Sequence, residues 1–297
     1  MRKITSMKLR KFADSEEQKM DKKLIISDID GTLLNEKHQL TEKTIRVIRQ
    51  LTERGVPLVL ASARSPKAME QLSNRLQLET PLVCFNGALV MQKTKTRFNP
   101  LYSVSLERID VILVYQLLRQ RFPNIQVSIY SNDRWLVEEK NHWVQQEEQI
   151  AGISAEVIDV PNFLKEYHPV HKILCMGSEN ELQLASKELE SLDIIGITTA
   201  FSKPTYLEIV NNQVSKLASL QFLCQFYGIS LKNTVAIGDN YNDMPILQYA
   251  GIGIAMGNAP LTVKEIATLQ TTSNKEEGFS KGLANCFGLD IMNEKVF

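Results

Sequence analysis

Short apolar runs alternate with stretches whose apolar residues recur every three or four positions. Leu24 to Ile26 reads as a buried strand. Thr41 can cap a helix that carries Ile45, Ile48 and Leu51 on one face and stops at Gly55. Val56 to Ala61 is a second buried strand, and Ser65-Pro66 opens the next helix with a serine cap and a proline in its first turn. Pro81 to Phe85 forms a third strand, followed by Asn86-Gly87. Strand, helix, strand, helix, strand at these intervals predicts βαβ units, a parallel sheet and an α/β fold.

The texture changes at about residue 88. Gln126 to Tyr130 and Trp135 to Glu138 flank Asn132-Asp133 as a hairpin would. Helical patterns cover Glu107 to Phe122 and Ser178 to Leu192, the second opening with Ser178-x-x-Glu181, which fits a capping box. Residues 88–211 are therefore expected to form an α+β insertion with its own small core. The βα rhythm then resumes. Ser215 caps a helix that runs through Tyr227, Gly228 stops it, and Val235 to Ile237 is another strand. A helix follows to Ala250, and Gly251 to Met256 and Thr268 to Thr272 supply the last strands. The expected core is thus 21–87 plus 212–297, with residues 1–20 a loosely ordered extension that lacks the apolar centre of a secretory signal.

Ligands of parallel sheets bind beyond the carboxyl ends of the strands. Asp28, Asp30, Ser62 and Asn86 all fall there. So does Gly238-Asp239-Asn240-Tyr241-Asn242-Asp243-Met244. Two acids one residue apart at the end of a buried strand repel each other unless one is protonated or a cation lies between them. Alone, Asp-x-Asp-Gly also fits a plain turn. Asp28 and Asp30 on one strand end, and Asp239 and Asp243 on another, supply hard oxygen ligands of the kind that hold magnesium and a substrate phosphate. Lys216 sits in the first turn of its helix, where a cation opposes the helix dipole, which points to an anionic partner.

Composition narrows the classes. Hydrophobic residues are 43% and charged residues 23%, a soluble globular balance. Lys plus Arg and Asp plus Glu both total 34, so no basic footprint for nucleic acid is expected. No run approaches about 18 apolar residues, so no membrane span is expected. Cys84, Cys175, Cys224 and Cys286 are scattered through apolar contexts and read as free thiols in a reducing, cytoplasmic setting. His168 and His171 flank Pro169 with no third ligand nearby and read as surface or strand-edge residues.

Taken together, the chain resembles the haloacid dehalogenase superfamily of aspartate-based phosphatases. Asp28-Ile29-Asp30-Gly31-Thr32-Leu33-Leu34 is similar to its first motif, Ser62 in Ala61-Ser62-Ala63-Arg64 to its second, Lys216 to its third, and the Gly238–Met244 segment to its fourth. Asn86-Gly87-Ala88 and the large insertion between the second and third motifs are similar to the Cof-type branch. The resemblance implies a Rossmann-like parallel-sheet core with a C2-type cap, and Mg²⁺ as cofactor. It implies Asp28 as nucleophile and Asp30 as general acid and base. Metal ligation would come from Asp28, Asp239, Asp243 and the main-chain carbonyl of Asp30, and phosphate binding from Ser62, Lys216 and Asn242. Leu217 stands where the branch usually has glycine, and Met244 follows Asp243 directly. The implied activity is Mg-dependent hydrolysis of small phosphorylated metabolites, whether sugar phosphates or phosphorylated cofactors, through an aspartyl-phosphate. A phosphotransferase or phosphomutase using the same aspartate, and a non-catalytic phospholigand sensor, remain open, as does the oligomeric state.

Overall fold

The computed structural model describes residues 23–94 and 97–290; the expected extension over residues 1–20 lies outside them. Fourteen strands are found among the described residues, in two sheets. They are β1 (Leu24–Ser27), β2 (Leu58–Ala61), β3 (Leu82–Cys84), β4 (Leu89–Lys93), β5 (Phe98–Ser103), β6 (Gln126–Ser131) and β7 (Arg134–Val137). After these come β8 (Glu156–Val157), β9 (Lys172–Met176), β10 (Ile197–Lys203), β11 (Tyr206–Asn211), β12 (Thr234–Gly238), β13 (Ile252–Ala255) and β14 (Leu269–Gln270).

The first sheet has the order β14-β13-β12-β1-β2-β3-β4-β5. From β14 to β3 every pairing is parallel, as the βαβ rhythm predicts. Helices cover both faces, as a parallel sheet requires. Leu24, Ile26, Val59 and Ala236 face Leu220, Leu223, Ile246 and Leu247. Ile25, Leu58, Leu60 and Val235 face Val47, Ile48, Leu51 and Met69. The caps fall where the sequence places them. Thr41 accepts the Thr44 N–H at 3.2 Å to start Glu42–Glu53. Ser65 accepts from Ala68 to start Pro66–Arg75, and Ser215 from Ala218 to start Lys216–Tyr227. Thr44, Val47, Ile48 and Leu51 make the buried face of the first helix, and Ile45 is only partly covered.

Strands β4 and β5 differ from the expectation. Although they belong to the stretch read as the insertion, they fold back antiparallel onto β3 and widen the first sheet. The second sheet takes the remaining strands in the order β10-β11-β9-β6-β7-β8, antiparallel except for β7 with β8. Its β6–β7 hairpin turns at Asn132-Asp133 with Asn132 left-handed (φ 54°). Alternate residues on its strands serve two layers. Val127, Ile129, Ile173 and Cys175 pack with Val111, Leu118, Leu182 and Leu189 of the helices Arg108–Arg121 and Glu179–Ser191. Tyr130, Trp135, Leu174 and Met176, on the opposite face, belong to an apolar cluster that also contains Phe85 of the first unit. The capping box at Ser178 is half formed. Ser178 accepts the Glu181 N–H, but the Glu181 carboxylate takes the Ser178 hydroxyl at 2.8 Å and the Asn124 amide at 3.0 Å.

His171 is expected at the surface or at a strand edge, and of these the surface position fails. It is fully buried just before β9; Nδ1 accepts the Asn132 N–H at 3.2 Å, which leaves Nε2 protonated for Ser103 Oγ at 2.9 Å. All four cysteines are free, and only Cys286 is partly exposed.

Candidate active site

The central strand β1 lies between β12 and β2, so the chain leaving it emerges at the middle of the sheet's carboxyl edge. The Asp28 N–H still bonds to the Ile237 carbonyl at 3.0 Å. Its side chain is buried against Lys216, whose Nζ donates to Asp28 Oδ1 and Asp243 Oδ1, both at 2.6 Å. Lys216 itself is enclosed, with no exposed side-chain surface. Its position one residue after the Ser215 cap aims it at the strand ends rather than at solvent. Burial disfavours its charge, but the two carboxylates more than offset this and hold the ammonium above the ordinary lysine range.

Asp239 follows β12 and completes the cluster. Asp28, Asp239 and Asp243 each offer a carboxylate oxygen within 4.8 Å of the others. Burial, with the repulsion of neighbouring acids added, pushes Asp28 up to about 8 although Lys216 pulls it down. The same two causes push Asp239 up to about 6. Three crowded carboxylates and one ammonium leave negative charge unmatched, and all the donors are hard oxygens. That set fits a divalent cation.

The supports of the cluster are short-range. Asp243 Oδ2 accepts the N–H groups of Asp239 and Asn240 at 3.1 Å each, pinning the turn after β12. Thr32 Oγ1 donates to Asp239 Oδ1 at 3.0 Å, and Asn258 Nδ2 donates to Asp239 Oδ2 at 3.0 Å and to the Gly31 carbonyl at 2.9 Å. Gly31 is left-handed (φ 83°), and a Cβ there would overlap the Asp239 carboxylate. Thr32 lies inside the first motif, so spacing alone hints at it. Asn258 has no comparable signal: it sits in the Gly257-Asn258 turn after β13 and becomes visible only when that strand packs beside β12.

Asp30 stands apart from the three clustered acids. Its side chain is 42% exposed and held in a two-pronged grip by Arg64, Nε to Oδ2 at 2.9 Å and Nη2 to Oδ1 at 2.6 Å. His38 Nδ1 lies 3.5 Å from the same Oδ1. Ser62 is buried at the end of β2, and its hydroxyl accepts the Arg64 N–H at 3.3 Å. The main chain on either side of it is tied down, since the Asn86 N–H donates to the Ser62 carbonyl at 2.9 Å and the Phe85 N–H to the Arg64 carbonyl at 3.1 Å. Asn242 donates through Nδ2 to Asn86 Oδ1 at 2.9 Å, joining the turn after β12 to the turn after β3. Phe85 (φ 52°), Asn86 (φ 58°) and Gly87 (φ 107°) are left-handed in succession. Two non-glycine residues in that region store strain, as turns at functional sites often do.

The haloacid dehalogenase-like hydrolase family model matches residues 25–283. A Bacillus subtilis 5-amino-6-(5-phospho-D-ribitylamino)uracil phosphatase is 29% identical over 264 residues, covering 89% of this chain and 95% of its own. An Escherichia coli HMP-PP phosphatase is 29% identical over 242 residues, covering 80% and 85%. A haloacid dehalogenase-like hydrolase from Bacteroides thetaiotaomicron superposes with a TM-score of 0.81 at 28% identity, covering 90% of this chain and all of that one.

Proposed function

Because the chain belongs to the haloacid dehalogenase-like hydrolase family, we propose that it is a Mg²⁺-dependent phosphatase of small phosphorylated metabolites that works through an aspartyl-phosphate on Asp28. The observation that carries this reading is the juxtaposition of Asp28 with Lys216 at 2.6 Å and with Asp239 and Asp243. A buried carboxylate at the carboxyl end of a central strand, flanked by a fixed cation, suits attack on phosphorus. Asp28, Asp239, Asp243 and the Asp30 carbonyl would hold the metal. When bound, Mg²⁺ supplies charge neutralisation at the phosphoryl oxygens.

The chain's own residues divide the remaining work. Asp28 is the nucleophile and splits hydrolysis into two easier displacements. Lys216, Ser62 and Asn242 hold the transferring group, whose loose transition state responds chiefly to placement and charge. Asp30 gives a proton to the leaving oxygen and takes one from water in the second step. Its half-exposed position leaves room for a leaving group, and Arg64 fixes its direction. The inserted stretch, 88–211, has its first two strands built into the core sheet, and the part beyond β5 acts as a cap over this edge. The relatives act on a phosphoribityl compound and on HMP-PP by name, which supports a small phosphorylated metabolite as substrate. Four free thiols, together with the lack of any helix among the described residues that is long and apolar enough to cross a membrane, agree with a cytoplasmic enzyme.

The test is hydrolysis of p-nitrophenyl phosphate with and without Mg²⁺, followed by acid quench and peptide mass spectrometry. A phosphoryl group on Asp28 is expected. Asp28→Asn should fold and lose turnover by about a thousandfold or more; near-normal turnover in that variant would refute the assignment.

A further inference from the structure

Lys172 is a buried cation that no motif explains. It begins β9 of the second sheet, is 6% exposed, and donates through Nζ to the Ala63 carbonyl of the first unit at 3.2 Å. Glu208 of β11 lies on the same sheet face, with Oε1 at 3.6 Å from the ammonium. The rings of Tyr130 and Phe85 flank it at 5.0 and 5.6 Å. An ammonium has three N–H donors and is costly to bury without return. Here its one short hydrogen bond is spent on the main chain of a loop in the other unit.

That loop is Ser62-Ala63-Arg64. Its flanking carbonyls are already tied to the turn after β3, through Asn86 N–H to Ser62 and Phe85 N–H to Arg64. The Ala63 carbonyl is the remaining one, and Lys172 takes it. The residue before it carries the hydroxyl assigned to the phosphoryl group. The residue after it grips Asp30 through two nitrogens. Ser62 is anchored independently, its N–H bonded to the Val83 carbonyl at 2.9 Å as well as its carbonyl to Asn86. A shift of the turn therefore falls on Arg64, and misplacement by a fraction of an ångström is enough to slow chemistry.

We propose that Lys172 is a positioning residue: carried by the second sheet and held by Glu208, it fixes the Ser62–Arg64 turn through the Ala63 carbonyl and so sets where Arg64 holds Asp30. The proposal rests on the phosphatase reading and adds to it a named link between the inserted sheet and the acid/base group. Arg64 acts on Asp30 directly; Lys172 acts one step further back.

The test uses two substrates that differ in their need for a proton. Glycerol 2-phosphate expels an alkoxide and depends on the general acid, whereas p-nitrophenyl phosphate expels a stable anion and depends on it little. Lys172→Met keeps the length of the side chain and removes the charge. Its kcat/KM is expected to fall by about tenfold or more on glycerol 2-phosphate and by less than about threefold on p-nitrophenyl phosphate. Lys172→Arg should restore most of the loss. Equal losses on both substrates, or no loss on either, would overturn the proposal and leave the phosphatase reading standing. A wild-type protein that turns over neither substrate would overturn both. Should Lys172→Met fail to fold, Glu208→Gln removes the countercharge and is expected to show a smaller split of the same sign; no split there is equally fatal.

Discussion

His171 titrates against its own burial. Desolvation pushes it down to about 4, and the Asn132 N–H donates to Nδ1, a bond that a protonated ring cannot accept. An unfolded histidine titrates near 6.5. The neutral ring therefore contributes stability that is fully present above that value and lost as pH falls from 6.5 towards 4, on the order of 3 kcal/mol in all. Urea midpoints measured from pH 7 to pH 4 should fall less steeply in His171→Gln than in the wild type across that window. Parallel curves would assign the acid sensitivity elsewhere. Sequence did not disclose this residue, because a histidine two positions after a proline looks like a strand edge. Only the closing of β6 against β9 buries it. Asp28, Lys216, Asp239 and Asp243 were legible for the opposite reason. Each sits at a fixed offset from a strand end or helix cap that composition and period already mark. Thr32 and Asn258, which steady Asp239, depend on neighbours in space, and Lys172 depends on a second sheet whose placement no spacing states.

At the scale of elements, local chemistry and tertiary context separate cleanly. Helices that begin at Thr41, Ser65 and Ser215 start where their caps predict, since one side-chain oxygen answers an otherwise unpaired N–H. Thr41 also donates to Glu277 Oε2 at 2.7 Å, linking the first helix to the residue that precedes the last one, Gly278–Phe287. Thr41→Ala should lower stability by about 1 kcal/mol in urea titrations while leaving kcat unchanged. A changed kcat would mean that this end of the molecule communicates with the site. The strands β4 and β5 show where local reading stops. Their antiparallel pattern is the same whether they join the first sheet or the second. The choice is made by β3, which offers an open edge immediately after the Phe85–Gly87 reversal. Gly87 permits that reversal: it is left-handed, and a Cβ there would overlap the Ser215 carbonyl.

For the whole molecule, the decisive term is electrostatic. The formal net charge is zero, yet three carboxylates gather at one sheet edge with a single enclosed ammonium. A divalent ion that binds only the folded chain must stabilise it by mass action. Millimolar Mg²⁺ is therefore expected to raise the thermal midpoint, and chelation by EDTA to lower it and to abolish turnover reversibly. Turnover that survives thorough chelation would remove the metal from the reading. The gross architecture, a parallel sheet interrupted by a second α+β unit, was legible from the order of strands and helices. What stayed hidden was how the two units touch, because interfaces form between positions that share no period.

Strand β1 has one more consequence, which concerns synthesis. Leu24 pairs in register with Thr234, so during translation the middle of the first sheet must wait for its neighbour. At roughly 5–20 residues per second the delay is on the order of ten seconds or more. The six-stranded sheet ends at Asn211 and is complete before then. On the ribosome, the nascent polypeptide carries a finished second layer while β1, apolar at Leu24, Ile25 and Ile26, still has an unpaired flank, and it is in this interval that chaperones have most to protect.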